Sequence, residues 1–333
     1  MARWKYGQKN TYPGGNLKIV CLDGALLNPG DVSWQPIRNL GEFVTYADTA
    51  PGQFSERVKG AEVVLVNKTP VKAADIGALE KCKLVGALAT GVNNLDLSAL
   101  DKAGIKACNV PANGPGDIAQ HAFALLLELV RDVSSHSQGV KSGQWNRNGQ
   151  WCYWQKPPLS LCGLVMGILG FGEIGQITGR IAHACDMEVI ACSPSKKART
   201  NYPFKWVDQD DLWRQADVIS LHCPLTPQTD KIINADSISR MPTGIIIINT
   251  ARGGLVDEEA VTSALYSGKL AGFGTDVLSS EPPLPDNPLL HAPNTLITPH
   301  MAWATARSRQ NIIDIMAANI SAFFNNQPQN LVN

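Results

Sequence analysis

The chain has 333 residues, with 29 basic and 29 acidic side chains and a formal net charge of zero; at roughly 100–200 residues per domain its length predicts two domains. The charge balance supplies no basic field for nucleic-acid phosphates or an anionic membrane, and apolar runs such as 245–248 and 123–127 fall far short of the roughly 20 residues that cross a bilayer. Charged residues are 17% against 44% apolar, below the roughly 25% usual for soluble proteins, which predicts a large buried fraction and contact between subunits.

The first 16 residues are polar and lack the apolar core of a signal peptide, so a cytoplasmic location is expected. The eight cysteines contain no CxxC pair, lie mostly in apolar runs and read as reduced core thiols. From Leu17 onward, short apolar runs alternate with helical patterns. The runs 17–23, 42–48, 61–69, 83–90 and 105–110 are continuously apolar, as strands buried on both faces are, with helical segments at 71–82 and 95–104 among them. The pattern breaks at PANGPGD (111–117), and a long helix follows whose Ile118, Ala122, Leu125 and Leu129 share one face.

Segment 144–158 holds three tryptophans and a tyrosine without periodicity. It fits a wall or an interface, or equally a loop pinned to its own domain by its aromatics. A second series, 164–170, 187–193, 217–223, 244–250, 270–277 and 294–300, predicts six further strands, and a last helix over about 303–324 carries the chain back. The expected fold is α/β: two doubly wound parallel-sheet domains of Rossmann or flavodoxin-like type, crossed by the chain near 111–117 and 300–305 and separated by a cleft.

GILGFGEIG (167–175) sets Gly170, Gly172 and Gly175 in G-x-G-x-x-G spacing, after an apolar strand and at the start of a helical run that opens with Glu173 and Ile174. Gly170 permits the turn, Gly172 the approach of a pyrophosphate and Gly175 close helix-to-strand packing, with the anion at the helix N-terminus. An NAD site places an acid about 20 residues later to receive the ribose hydroxyls. Here the second strand ends at Cys192-Ser193 and continues SPSKKAR. Ser193 and Ser195 as hydrogen-bonding groups, with Lys196, Lys197 and Arg199 as cations, predict NADP(H) in preference to NAD(H); the alternative is a solvated basic turn.

Reduction of a 2-oxo acid needs a cation for the carboxylate, a polariser for the carbonyl and an acid for the forming alkoxide. Arg252 follows the strand 244–250, Glu281 follows 270–277 and His300 ends 294–300, all at the carboxyl edge where open α/β sheets bind ligands. A guanidinium grips a carboxylate with two hydrogen bonds, and a carboxylate beside an imidazole fixes its tautomer and favours its protonated form. Taken singly, each residue also reads as a surface ion pair or a turn cap. His121, His136, His183, His222 and His291 rank lower. With no HxxxH or HExxH pair and no G-x-S-x-G, neither a metal nor a serine nucleophile is expected.

The motifs VNKTP (66–70), ATGVNNLDL, NVPANGPGDIAQHAFALLLEL, GILGFGEIG, NTARGGLVDEEAV, GTDVLSSEPP and ITPHMAWAT run in order from about Leu17 to the C-terminus. Together they resemble the D-isomer-specific 2-hydroxyacid dehydrogenases, glycerate dehydrogenase/hydroxypyruvate reductase branch. The resemblance implies a discontinuous substrate-binding domain (1–112 and 304–333) with a dinucleotide-binding domain (113–303) inserted into it. It implies that Arg252 binds the substrate carboxylate and carbonyl, that His300 is the acid/base with Glu281 as its partner, and that Ala89, Thr90, Gly91 and Trp303 meet the substrate. Asp276 would lie at the nicotinamide carboxamide, and Cys223, Pro224, Thr250 and Ala251 would line the cofactor. A homodimer through the nucleotide domains is also implied, with part of the tryptophan-rich segment against the partner.

Two departures, Val92 where this branch often has Tyr and Met301 where it often has a smaller aliphatic residue, leave the preferred acid open. The implied activity is reduction of hydroxypyruvate or glyoxylate to D-glycerate or glycolate by hydride transfer from NADPH. The alternatives are a non-enzymatic nicotinamide-sensing scaffold like the C-terminal binding proteins, or a relative acting on phosphite or formate.

Overall fold

The structure, a computed structural model, describes residues 17–111 and 114–333. Two compact units make up the chain: one contains the described residues up to Gly114 together with Trp303–Asn333, and the other is Pro115–Ala302.

The first unit is built on β1 (Leu17–Cys21), β2 (Gly41–Thr45), β3 (Val63–Val66), β4 (Leu84–Ala87) and β5 (Lys106–Cys108). They form one sheet in the order β2-β1-β3-β4-β5, with every pair parallel. β3 and β4 are buried along their whole length, which is why neither carries a polar alternation. The helix Ala306–Phe324 contributes Ile312, Ile313, Met316 and Ile320 to a core shared with Ile19, Leu65 and Leu84. Gly86 makes room for this helix, since a Cβ there would lie 2.6 Å from Met316 Sδ. Arg309, on the same helix, makes two 2.6 Å hydrogen bonds to the Asp31 carboxylate and donates to the carbonyls of Leu27 and Ala304. The guanidinium holds the Asp31 carboxyl below its ordinary value.

The second unit carries β6 (Val165–Leu169), β7 (Glu188–Cys192), β8 (Lys205–Trp206), β9 (Val218–Leu221), β10 (Ile245–Asn249), β11 (Leu270–Thr275) and β12 (Thr295–Ile297). The order is β12-β11-β10-β9-β6-β7-β8, again all parallel. Alternate residues of β10 serve opposite faces: Ile246 and Ile248 pack with Phe123, Leu126 and Leu129 of the helix Pro115–Arg131, while Ile245 and Ile247 join the cluster around Trp213 and Val261. The strand order reverses between β6 and β9, so the switch point that binds ligands in open sheets lies at the end of β6, where the glycine-rich turn begins.

Where pattern and structure differ, the cause is local. The sheet has seven strands, not six, because β8 is a two-residue edge strand, too short to show a period, held by Trp206 against Phe171 and Phe204. The expected helix over 71–82 is only a 3-10 turn, Ala73–Ala78. Val71 is held extended by donating to Asn94 O at 2.9 Å, and the Asp75 carboxylate closes the turn by accepting from Lys72 N at 2.8 Å. The last helix starts at Ala306, capped by Thr305 Oγ1, and not at 303. In the tryptophan-rich segment, Gln144–Asn148 forms a short helix and Tyr153 rests on His136, but Trp151 is 91% exposed. All eight cysteines are free; burial pushes the thiols of Cys21, Cys82 and Cys108 up to about 12, whereas Cys152 and Cys162 are exposed. Among the described residues no helix is long and apolar enough to cross a membrane.

Met316→Ala empties the space facing Gly86 and Leu65 and should cost the first unit about 2–5 kcal/mol. Urea unfolding checks this; an unchanged midpoint would mean that the last helix is not part of that core.

Candidate active site

β6 ends at Leu169 and the chain turns through Gly170 with φ +96°. A Cβ there would lie 2.5 Å from the backbone of His222 and Cys223, so both the conformation and the close approach demand glycine. At Gly175 a Cβ would meet Gly170 O at 2.3 Å. Gly172 differs: it caps the helix Glu173–Ala184, and a Cβ there would meet nothing within 4 Å. Two of the glycines therefore serve packing and the third leaves an open approach to the positive end of a helix. Thr250, just beyond β10, adds a buried hydroxyl whose Oγ1 has no hydrogen-bond partner. An open helix N-terminus after β6 and an unsatisfied donor after β10, at the same edge of one parallel sheet, fit a dinucleotide. His222, beside the turn and beyond the end of β9, bonds Ser220 Oγ at 2.9 Å, and burial pushes its imidazole down to about 3, so it stays neutral.

The basic segment follows β7. Lys196, Lys197 and Arg199 line a cavity of about 790 Å³ beside the fingerprint helix, together with Glu173 and Arg180 of that helix. Ser193 is half-buried and Ser195 exposed; neither lines the cavity. The structure thus gathers the three cations at one cavity and does not bring the two serines into its lining.

Arg252, Glu281 and His300 follow β10, β11 and β12, three adjacent strands, at their carboxyl ends. The turn at Arg252 is braced by the fully buried Asn249, whose Nδ2 donates to Arg252 O at 2.9 Å and whose Oδ1 accepts from Ala251 N at 3.0 Å. The guanidinium is exposed and donates to Ala251 O at 2.6 Å. Gly253 is obligatory beside it, since a Cβ would fall 1.9 Å from the Leu278 carbonyl carbon. Glu281 Oε2 lies 2.6 Å from His300 Nδ1, with both side chains partly exposed, and its Oε1 accepts from Leu278 N at 3.2 Å. Glu258 steadies the same loop through Ser279 N and Asn287 Nδ2, both at 2.8 Å.

His300 has φ +53°, a left-handed conformation uncommon outside glycine. Its N–H donates to Asp276 O at 2.8 Å. The Asp276 carboxylate is 1% exposed and accepts from Thr298 Oγ1 (2.6 Å), Met301 N (2.9 Å) and Ala302 N (2.8 Å), with His121 Nε2 at 3.5 Å. Burial alone would raise this carboxyl, but the bonds from His121, Thr298 and the two backbone amides outweigh it and hold it below its ordinary value. In this structure the carboxylate of Asp276, expected at a nicotinamide carboxamide, is engaged by the protein.

Ala89, Thr90 and Gly91 follow β4 in the first unit. Ala89 O accepts from Val110 N at 3.0 Å, Thr90 O from Asn109 Nδ2 at 2.7 Å, and Thr90 Oγ1 donates to Val110 O at 2.9 Å. Val92 packs against the core next to this loop, and Trp303 against the core that holds the last helix. Met301, in the second unit, is 48% exposed. Cys223 and Ala251 stand partly exposed, and Pro224 exposed, at the ends of β9 and β10.

Asn249, Glu258 and His121 were not singled out by the motifs. A signal existed for His121: it sits three residues after Ile118 and four before Leu125, on the apolar face of its helix, where a polar side chain requires a partner. Among the described residues, no group of three or more His, Cys, Asp or Glu could hold a metal.

The sequence profile described as "D-isomer specific 2-hydroxyacid dehydrogenase, NAD binding domain" matches residues 123–302. A hydroxypyruvate reductase of Blautia hydrogenotrophica is 44% identical over 324 residues, covering 95% of this chain and 100% of the relative. A glycerate dehydrogenase of Methylorubrum extorquens is 35% identical over 318 residues, covering 95% and 98%. Among solved structures, the apo D-lactate dehydrogenase of Escherichia coli superposes with a TM-score of 0.83 at 26% identity, covering 95% of this chain and 100% of that one. An acyclic imino acid reductase in complex with NADPH and D-Arg gives 0.79 at 26% identity over the same shares. The two parallel sheets, the glycine fingerprint and these similarities together establish that the chain belongs to the D-isomer-specific 2-hydroxyacid dehydrogenase family.

Proposed function

We propose that the protein reduces hydroxypyruvate or glyoxylate to D-glycerate or glycolate with NADPH as hydride donor. The observation that carries this reading is the 2.6 Å pair of His300 Nδ1 and Glu281 Oε2, at the carboxyl edge of the sheet whose β6 leads into the glycine turn. The similarity to a hydroxypyruvate reductase and a glycerate dehydrogenase supports the substrate class.

When bound, the cofactor supplies a hydride to the carbonyl carbon. The backbone from Gly170 through Gly172 to Glu173, Ile174 and Gly175 would hold its pyrophosphate. Thr250, Ala251, Cys223, Pro224 and Asp276 would border the rest. The missing acid after β7 and the three cations at one cavity support NADPH, and a structural relative binds NADPH. Lys196, Lys197 and Arg199 would neutralise the 2′-phosphate, with Ser193 and Ser195 hydrogen-bonding it.

Glu281 accepts a hydrogen bond from His300 Nδ1–H, so Nε2 is the atom that delivers a proton to the forming alkoxide, and the carboxylate offsets the imidazolium charge. Arg252 neutralises the substrate carboxylate and draws electron density toward the carbonyl oxygen. Ala89, Thr90, Gly91 and Trp303 would orient the acid. The same reading makes the protein a homodimer through the nucleotide unit, where Val133 and Trp151 expose apolar surface.

The test is loss of reduced-nicotinamide absorbance with hydroxypyruvate, glyoxylate and pyruvate added separately to NADPH and to NADH. Turnover should be fastest with the first two acids and NADPH; no oxidation with any acid would overturn the assignment, and a higher kcat/KM for NADH would reverse the cofactor choice. His300→Ala should lower kcat roughly 10²- to 10⁴-fold, and unchanged turnover would remove it from the proton-transfer role. Arg252→Ala should raise KM and lower kcat together, because the guanidinium acts on ground state and transition state alike; a change in KM alone would confine it to binding.

A further inference from the structure

We infer that Gln176 is a positioning residue for cofactor discrimination: its side-chain amide clamps the basic segment after β7 to the glycine turn and so holds the cations where a 2′-phosphate is read. The inference rests on the NADPH reading above and concerns a residue outside the fingerprint and outside the basic run.

Gln176 stands one turn into the fingerprint helix and is half-buried. Its Nε2 donates to Phe171 O, between the first two glycines, at 3.0 Å, while its Oε1 accepts from Arg199 N at 2.9 Å. One neighbour is a carbonyl and the other an N–H, so the amide has a single satisfactory orientation. A third bond joins the same two segments, from Tyr202 Oη to Gln176 O at 2.7 Å. Gly179 leaves room for that tyrosine, since a Cβ there would lie 2.4 Å from its hydroxyl. The basic segment is thus tied to one helix at Arg199 and at Tyr202, with the 790 Å³ cavity between them. Arg180, one turn further along the helix, adds a fourth cation to Lys196, Lys197 and Arg199, against the single acid Glu173.

Long cationic side chains on an untethered loop give little discrimination, because ordering them costs conformational entropy at the moment of binding. A loop already fixed to the turn that holds the pyrophosphate avoids that cost. The Arg199 end of the clamp lies where a 2′-phosphate would be read, and the glycine turn at its other end is also fixed by Gly170 N donating to Cys192 O at 2.9 Å, so the loss should fall on NADPH and spare NADH.

Gln176→Met keeps the side-chain length and removes both hydrogen bonds; Gln176→Leu does the same with a different shape and serves if the first lowers the yield of folded protein. Either should raise KM for NADPH about 3- to 10-fold, the effect of losing one or two hydrogen bonds, with kcat and KM for NADH within about twofold. Equal losses with both cofactors, or an unchanged KM for NADPH, would overturn the inference. The triple variant Lys196→Ala/Lys197→Ala/Arg199→Ala separates the two levels. If it leaves the NADPH to NADH ratio of kcat/KM unchanged, the NADPH reading itself fails. If it collapses the ratio while the Gln176 variants do not, only the clamp is refuted.

Discussion

A carboxylate sealed from water must be surrounded by donors, and the way Asp276 finds them shapes the chain around His300. Its partners come from three directions: His121 on the helix Pro115–Arg131, Thr298 just past β12, and the amides of Met301 and Ala302 beyond His300. The segment 298–302 is wrapped around one anion, and the backbone of His300 takes its left-handed turn within that wrap. Such a conformation costs on the order of 1–2 kcal/mol for an L-residue. Charge-assisted hydrogen bonds of about 1.5–3 kcal/mol each are ample to impose it. The imidazole is therefore aimed by the backbone first and by the 2.6 Å bond to Glu281 second.

Strand direction supplies the rest of the placement. Because all seven strands of the second unit run the same way, the ends of β6, β9, β10, β11 and β12 share one edge, and residues up to 130 positions apart in the chain, Gly170 and His300 among them, emerge there. Polar side chains just behind that edge brace the turns: Asn249 under Arg252, Glu258 under the loop to Glu281, Gln176 between the glycine turn and the basic segment. Rigid strands fix where each loop starts, and these amides and carboxylates fix where it goes.

What could be read in the sequence divides along the same line. Continuous apolar runs mark eleven of the strands because buried parallel strands need no alternation, and glycine spacing marks the fingerprint because bulk at Gly170 or Gly175 is sterically impossible. Arg252, Glu281 and His300 stand out because each follows a strand by a few residues. The bracing residues do not: an Asn, Gln or Glu that bonds a distant backbone amide looks in sequence like any solvated polar side chain, and only the fold identifies its partner. The same limit explains the segment 71–82, where helical spacing of apolar residues is overridden by the backbone pairing of Val71 with Asn94 and by the tight turn at Asp75. β8 fails for a simpler reason, since two residues cannot display a period.

The ion pair between Arg309 and Asp31 joins residues 278 positions apart, and the core around Gly86 is likewise completed by Met316. The second unit, Pro115–Ala302, is by contrast contiguous in the chain. On a ribosome, everything needed for the nucleotide-binding unit is therefore made before the first unit receives the helix that finishes its core. The earlier strands β1 to β5 must wait, with the core of Ile19, Leu65 and Leu84 covered by Trp34 and Ile37 but lacking Ile312, Met316 and Ile320, while another unit is synthesised and folded. Order of synthesis and order of completion run opposite ways in this chain, which makes the N-terminal sheet the part most dependent on protection from aggregation during its own production.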